Sequence, residues 1–586
     1  MVKVLIKLWT LLFLCLVINQ THAQTAEKSL QEWVELCKDD FISPLSIRLE
    51  LAGNFGECRP NHFHTGLDLK TQQRENLPIQ SVANGYVSRI SMSHSGYGHC
   101  LYITHPNGLT SVYAHLNTFS KPIQEYLEQR QVELESWNVN LIVPEGLLKV
   151  NQGEIIALSG NTGGSVAPHL HFELRETSTQ FAINPLAFKA FKIHDQIAPV
   201  IKQLGIYNAA TSIYNQKPEL YSLSSLGNNK YQANEINTSH NEIFLGFHVE
   251  DFMNGSNNWL GIYSLKVFVN DTLHFETKMD AIDLSINRMM NSYIDYSTYK
   301  SSKKVFQLAY ILPNNFMKLY PFSKQKGAIQ LAADKTTAIR VEIKDYHNNL
   351  STLALKINKK NEAHSNNNKT ITRQLDSWIP GVSQTFEHSY FWVKSQSLSV
   401  YDTVNFEFKE VFSENGALSA NITLNSQEVP IHAPITLAIR LTQPLPIHLR
   451  SKLVLLHQVQ ASKLPGRGAQ NAVAAKFDQG FAVVDISNFG NYQVAIDTVP
   501  PSIKLSTSNN LKVGQTLRIQ VEESMTHISH FAAYLEDGTW LNMRRVKNEF
   551  IFSIPDAWKK SEQTIKVWAS DANNNTSQQD FKIQIQ

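Results

Sequence analysis

The sequence predicts a mainly β chain: a small antiparallel β domain near the N-terminus, followed by β-sandwich domains of the immunoglobulin-like kind. Three observations predict it. At 586 residues the chain exceeds what one hydrophobic core can organise, which points to roughly three to five domains. Over residues 46–190, short apolar runs alternate with Gly, Asn and Pro punctuation, the rhythm of strands and tight turns. In the last stretch about seven short strands fit into roughly ninety residues, the length and spacing of an Ig-like sandwich.

Composition narrows the class. A hydrophobic share of 42% and a charged share of 18% describe globular protein and exclude a disordered chain. A formal charge of +2 excludes nucleic-acid binding by bulk electrostatics.

Taken in order, the chain opens with Lys3 and Lys7, an apolar run over 8–18 broken by Thr10, and the small-residue site Thr21-His22-Ala23. This reads as a signal peptide over 1–23, with the mature chain starting at Gln24. The run is too short to span a bilayer, and no later stretch is long and apolar enough. The expectation is an exported chain, periplasmic or secreted, with no membrane span after signal removal. Cys37, Cys58 and Cys100 then remain; in an exported protein two of the three can pair. Cys58 lies near His64 in sequence, which raises a thiolate ligand, but a structural role is the favoured reading.

Residues 24–195 form the first domain. Leu30, Trp33, Val34 and Cys37 fall at helical spacing, so a short helix within 24–45 packs against the strands. An insertion occupies 120–145. Its first part, 120–136, reads as a helix, with Ser120 as N-cap, Pro122 in the first turn, and Ile123, Tyr126, Leu127 and Leu134 on one face. Val139, Leu141 and Val143 then alternate like a strand. The insertion leaves directly after His115, so it forms either a wall or lid of a groove there, or a surface elaboration packed on the domain.

After Pro199 the content of Asn, Ser and Thr rises, and strands over 242–249 and 262–269 flank the turn Asn254-Gly255: a β-sandwich-like domain over 196–360. Residues 361–369 are a polar, Asn-rich linker. A β-rich domain follows over 370–495, in which Trp378, Tyr390, Phe391 and Trp392 read as core rather than as a ligand platform. The last domain, 496–586, opens on the proline hinge Asp497-Thr498-Val499-Pro500-Pro501 and makes its final turn at Asp571-Ala572-Asn573-Asn574. None of these regions shows a catalytic cluster. Architecture alone gives them spacing, wall binding or docking to envelope proteins.

The chemistry sits in three short pieces: His64-Thr65-Gly66-Leu67-Asp68, the single His115 in Tyr113-Ala114-His115-Leu116, and His169-Leu170-His171-Phe172-Glu173. Read as strands, the first and last place His64, Gly66 and Asp68 on one face, and His169, His171 and Glu173 likewise. Leu67, Leu69, Leu170 and Phe172 point the other way, toward a core. Two His and one Asp suit a catalytic zinc with its fourth position left to water, and two further His remain for proton transfer. In a chain with 21 His a lone histidine or a lone His-x-His carries little weight. The glycine and apolar pattern around all three pieces makes the set specific.

With Phe55-Gly56, Val82-Ala83-Asn84-Gly85-Tyr86-Val87, Gly96-Tyr97-Gly98, Val150-Asn151-Gln152-Gly153-Glu154 and Gly160-Asn161-Thr162-Gly163 in the same order, residues 50–190 resemble the lysostaphin/LytM-type zinc metallopeptidases, which cut peptide bridges of bacterial peptidoglycan. Carried over position by position, the resemblance implies zinc ligands at His64, Asp68 and His171 and catalytic histidines at His115 and His169. It also implies an exported zinc metalloendopeptidase with peptidoglycan as substrate. The alternative is a non-catalytic cell-wall-binding regulator of a separate peptidoglycan hydrolase, whose usual mark is loss of zinc ligands; none is lost here. Glu173 stands on the ligand face and orients a ligand histidine or acts as a base. Which of His115 and His169 takes the proton stays open at this stage.

Overall fold

The computed structural model describes residues 28–360, 377–412, 416–458 and 470–586. The signal peptide expected at 1–23 and the linker expected at 361–369 lie outside the described residues. The chain is mainly β, built from several packed sheets.

Helix α1 (Leu30–Leu36) starts at Ser29, whose side chain and that of Glu32 form a reciprocal capping box. It ends sooner than the sequence pattern suggests. Asp39, Asp40 and Ser43-Pro44 favour turns over helix, and residues 37–50 run without regular structure. Trp33 and Cys37 bury into the first domain.

The first sheet then assembles from β1 (Leu51–Gly53), β2 (Leu67–Lys70), β3 (Gly85–Met92), β4 (His99–Thr104), β5 (Leu109–Ala114), β6 (Asn140–Ile142) and β7 (His169–Glu176), in the spatial order β1-β2-β7-β5-β4-β3-β6. Along β7 the period of two is strict: Leu170, Phe172 and Leu174 are fully buried in the main core, and His169, His171 and Glu173 take the opposite face. The expected continuous strand over 64–68 is interrupted. Residues 64–66 lie between two strands, because Gly66 passes so close to β7 that a Cβ there would sit 2.4 Å from the Phe172 carbonyl oxygen.

Between β5 and β6 runs α2 (Lys121–Leu134), with Pro122 in its first turn and Ile123, Leu127 and Gln131 buried. Gln131 takes the inner position that the apolar pattern assigned to Leu134, which is exposed. Ser120 occupies the N-cap position without a side-chain cap bond.

The second region uses β8 (Val200–Asn208), β9 (Glu242–Glu250), β10 (Ser264–Val269), β11 (Thr336–Lys344) and β12 (Leu350–Lys359) in two facing sheets over a core of Ile206, Phe247, Val267 and Val341. Its other side joins the first domain's core: Met279, Ile282, Met289 and Tyr293 pack in the same cluster as Phe63 and Phe172. Residues Ala182–Ile183 also pair as strand with Ala281–Ile282. Residues 377–496 hold two five-stranded sheets, with Trp378 and Phe391 buried between them and Tyr390 partly exposed. The last region packs two four-stranded sheets, including β13 (Ser502–Leu505), β14 (Thr516–Glu522), β15 (Ile528–Leu535), β16 (Glu562–Asp571) and β17 (Thr576–Ile585). It leans on α2, where Tyr534 Oη donates to Glu135 Oε2 at 2.8 Å and Asn542 Nδ2 to Gln131 Oε1 at 2.8 Å. Cys37, Cys58 and Cys100 are all unpaired and buried, and burial pushes the first up to about 11 and the last to about 12. They are core thiols rather than a disulfide.

Two buried histidines away from the ligand cluster give this domain an acid limit. His99 Nδ1 lies 2.9 Å from Asn117 O, and His105 Nδ1 lies 2.9 Å from Asn84 O, with its Nε2 2.7 Å from Ser111 Oγ. Burial pushes both down to about 4, whereas an unfolded histidine titrates near ~6.5. Between those values the unfolded chain binds more protons than the folded one, so stability falls as pH drops from about 6.5 to 4 and is unaffected above. Each histidine accounts for roughly 3 kcal/mol. His105→Gln is expected to lose less Tm than wild type between pH 7 and pH 4.5, read by calorimetry; equal losses would remove His105 from the acid limit.

Candidate metal centre

The β2–β7 register sets His171 directly opposite Asp68, and the β7–β5 register sets it opposite Ala114. His115, one residue beyond β5, therefore arrives beside His171 from the other neighbour. His64 is delivered by the turn before β2, where His64 N–H donates to Glu57 O and Gly56 N–H to His64 O, both at 2.8 Å. All five residues singled out in the sequence meet.

Three donor atoms converge. His64 Nε2 stands 3.0 Å from Asp68 Oδ1, His171 Nδ1 stands 2.9 Å from the same oxygen, and the two ring nitrogens are 2.9 Å apart. The far nitrogen of each ring is committed elsewhere: His64 Nδ1 to the Asn54 carbonyl at 2.7 Å, and His171 Nε2 to Glu173 Oε1 at 2.7 Å. Those partners only accept, so both converging nitrogens present lone pairs toward one point beside a carboxylate. That donor set fits a divalent zinc-type ion. Its electrostatics agree. Burial opposes charge on His171, yet its hydrogen bonds to the Asp68 and Glu173 carboxylates raise it to about 9. Burial pushes His64 down to about 4, and Asp68, despite burial, is held well below the usual carboxylate range by the surrounding histidines. The site draws one positive charge into its centre, and a dication on the same three atoms meets that demand.

Glu173 is anchored from every side. Besides His171 it accepts from Thr65 Oγ1 and Tyr97 Oη, each at 2.7 Å, and from Arg175 Nε at 2.6 Å. Burial would raise it, but Arg175 and His171 hold it well below the carboxylate range. Glu173 thus orients a ligand and has no oxygen turned to the cleft, which favours the orienting role over that of a base. Glu173→Gln keeps the shape but leaves the buried Arg175 unpaired. The expected cost is about 3 kcal/mol of stability and roughly tenfold or more in metal affinity, read by urea unfolding and metal competition.

The two remaining histidines face the cleft. His115 Nδ1 donates to Thr162 O at 2.8 Å, and its ring lies 4.7 Å from that of His169. Burial, His171 and His169 push His115 down to about 3, so it stays neutral. Its backbone is left-handed, at φ 60°, a conformation L-residues rarely adopt and which clusters at functional sites. The loop that holds it needs glycine: Gly163 has φ 73° and sits against Gly98, where a Cβ would approach the Gly98 nitrogen to 2.3 Å. His169 Nδ1 lies 2.9 Å from Ala167 O and 3.1 Å from Ser165 Oγ, and its Nε2 lies 3.3 Å from Asp68 Oδ1 without a hydrogen bond to it.

The cleft over these residues measures about 770 Å³ and is walled by residues 164–168, by Glu50 and Lys70, and by Asn258 from the second region. No residue of the insertion lines it. Of the two readings of 120–145, a lid or wall and a surface elaboration packed on the domain, the second fits: the insertion carries contacts to the last region.

Sequence reasoning missed Arg59, whose Nη2 lies 2.5 Å from Asp68 Oδ2, and Asn54, whose side chain bonds Gly261 N and O at 2.8 and 2.7 Å while its carbonyl steadies His64. Neither carries a local signal. Arg175 did: it follows Glu173 by two on one strand face, where an inward cation must be paired.

Comparison with known proteins bears on this constellation. Residues 62–132 match the family model Peptidase family M23. The chain carries a LytM-type M23 peptidase domain. The matched segment holds His64, Asp68 and His115. Among curated relatives, the chain is 33% identical over 113 residues to the DD-carboxypeptidase/endopeptidase Mpg of Neisseria meningitidis, covering 19% of this chain and 20% of that one. It is 27% identical over 142 residues to the cell division protein DipM of Caulobacter vibrioides, covering 24% and 19%. The chain thus spans about a fifth of the length of the curated relatives it matches. Of solved structures, Csd3 of Helicobacter pylori aligns at 25% identity over 26% of this chain and 34% of that one, with a TM-score of 0.18. Lysostaphin's catalytic domain from Staphylococcus simulans aligns at 22% over 27% and 96%, with a TM-score of 0.16. Residues 383–497 match a Zu5-like domain. No helix of the described residues is long and apolar enough to cross a membrane.

Proposed function

We propose that this chain is an exported zinc metalloendopeptidase that hydrolyses peptide cross-links of bacterial peptidoglycan, acting in the periplasm or outside the cell. The observation that carries the reading is the complete set: His64, Asp68 and His171 converge within 3.0 Å of one another, with His115 and His169 beside them, at the floor of an open cleft. The Mpg relative, named a carboxypeptidase and endopeptidase, supports the reaction class. Retention of every ligand weighs against the regulator.

In this reading His64, Asp68 and His171 would hold zinc, which when bound would supply Lewis-acid polarisation of a carbonyl and lower the pKa of a water from ~15.7 toward ~7. The chain's own groups do the rest. His115 is neutral and donates its Nδ1 proton to Thr162 O, which leaves Nε2 as an acceptor at the cleft. His169, steadied by Ala167 and Ser165, stands across from it. One of the pair accepts a proton from the attacking water, and the other stabilises the oxyanion or protonates the leaving amine. The second region clamps the Asn54 side chain through Gly261, and the Asn54 carbonyl in turn keeps the His64 ring in place.

The test uses the full chain: zinc content, turbidity loss of purified peptidoglycan, and product masses. About one zinc per chain with lysis and new amine termini at cross-links supports the reading. Zinc without lysis of peptidoglycan, but with activation of a separate amidase, establishes the regulator instead.

A further inference from the structure

The second and last sandwiches repeat one acidic device. Asp195 precedes Pro199 and β8; Asp497 precedes Pro501 and β13 at the same interval. Each aspartate accepts from the backbone two residues on, Ile197 N at 3.0 Å and Val499 N at 3.3 Å, both onto Oδ1. The paired strands keep step: Val200 faces Glu250 and Ser502 faces Glu522. Asp251 and Glu523, each next in the chain, therefore occupy one position.

The far hairpins match as well. Residues 345–349 join β11 to β12, and residues 572–575, after Asp571 at the end of β16, join β16 to β17. Asn349 donates its backbone N–H to Asp345 Oδ1 at 2.8 Å and its side-chain amide to Asp345 Oδ2 at 2.6 Å and Asp195 O at 3.2 Å. Asn575 does the same with Asp571 Oδ1 at 2.8 Å, Asp571 Oδ2 at 2.7 Å and Asp497 O at 3.0 Å. Two residues later Ser351 Oγ bonds Pro199 O and Ser577 Oγ bonds Pro501 O, each at 2.5 Å.

Each copy gathers carboxylates at the same junction. Asp195, Asp345 and a His347 nitrogen bring ligand atoms within 4.8 Å of one another, and so do Asp497, Glu523 and Asp571. Asp251 is 1% exposed, and its Oδ1 has no partner. It holds the position that Glu523 holds in the other copy, and after burial itself the charges of Asp345 and Asp195 raise its carboxyl. In the other copy the buried Glu523 Oε2 is likewise without a partner, while Oε1 accepts from Met525 N at 2.8 Å. Lys452 Nζ reaches the second hairpin but bonds the carbonyls of Asn573 and Asn574.

We propose that each triad, Asp195–Asp251–Asp345 and Asp497–Glu523–Asp571, binds a hard divalent cation of the calcium class. Oxygen donors of this number, with carbonyls beside them, suit a large ion of flexible coordination better than magnesium's tight octahedron. A cation there ties the segment leading into a sandwich to that sandwich's far hairpin. The first site stiffens the joint behind the M23 domain, and the second stiffens the joint that presents the last region to α2.

Calcium chloride titrated calorimetrically into calcium-free full chain, held with one equivalent of zinc, tests this. The expected result is two calcium ions per chain and a Tm raised by about 5 °C. Asp345→Asn and Asp571→Asn each retain size and are expected to bind one; the pair together, none. Because the wild-type stoichiometry needs no variant, misfolding of a variant leaves the test intact. No calcium uptake by wild type at millimolar concentration overturns the proposal. So does uptake of zinc or manganese in place of calcium, or an undiminished stoichiometry in folded variants.

Discussion

Replacing His171 with alanine is expected to strip the zinc from the M23 domain and to lower peptidoglycan hydrolysis by about 10⁴-fold or more. In the proposed centre His171 would supply one of three converging protein donors, and it bonds both Asp68 and Glu173. Two remaining donors leave too few contacts to hold the ion against water. The fold itself is expected to survive, because Glu173 keeps Thr65, Tyr97 and Arg175 as partners and so is not left as an unpaired buried charge. Metal analysis and lysis assays on the folded variant read the outcome. A variant that keeps near-stoichiometric zinc, or lyses as wild type does, would remove His171 from the centre.

How much of this could be read from the sequence follows from the range of each interaction. The ligand face of β7 was legible because strand alternation is local: His169, His171 and Glu173 differ by two and must share a side. The conclusion that 64–68 is one strand failed for a non-local reason. Gly66 makes room for the Phe172 carbonyl, and a partner about a hundred residues away breaks the local pattern. Arg59 and Asn54 were invisible for the same cause, since an ion pair to Asp68 and a clamp from Gly261 leave no periodic trace. The helix of the insertion was legible from its cap position and its apolar face, but its job was not. Gln131 and Glu135, polar residues that an amphipathic reading sends to solvent, are the ones that meet Asn542 and Tyr534. Likewise, composition changes after Pro199, yet Met279, Met289 and Tyr293 fill the core beneath Phe63 and Phe172. Shared packing of this kind is set by shape and has no sequence period.

His115→Asn is expected to behave in the opposite way: zinc retained at about one per chain and kcat reduced by about 10² to 10⁴-fold, with KM little changed. His115 donates to Thr162 O and is no part of the converging donor set, so its loss takes away a proton acceptor and not a ligand. Asparagine is the informative choice because position 115 has φ 60°, and asparagine accepts left-handed backbone more readily than alanine does. The turn that also carries Leu116 into the core therefore stays in place, and a fall in rate reports chemistry instead of a rearranged loop. The same substitution at His169 completes the pair. The histidine that takes the water's proton supplies the acidic limb of the pH–rate profile, so its variant loses that limb. The partner's variant keeps it at a lower rate. Full activity in His115→Asn would move the proton transfer to His169 alone. Zinc loss in His115→Asn would mean that His115 is a fourth ligand beside His64, Asp68 and His171.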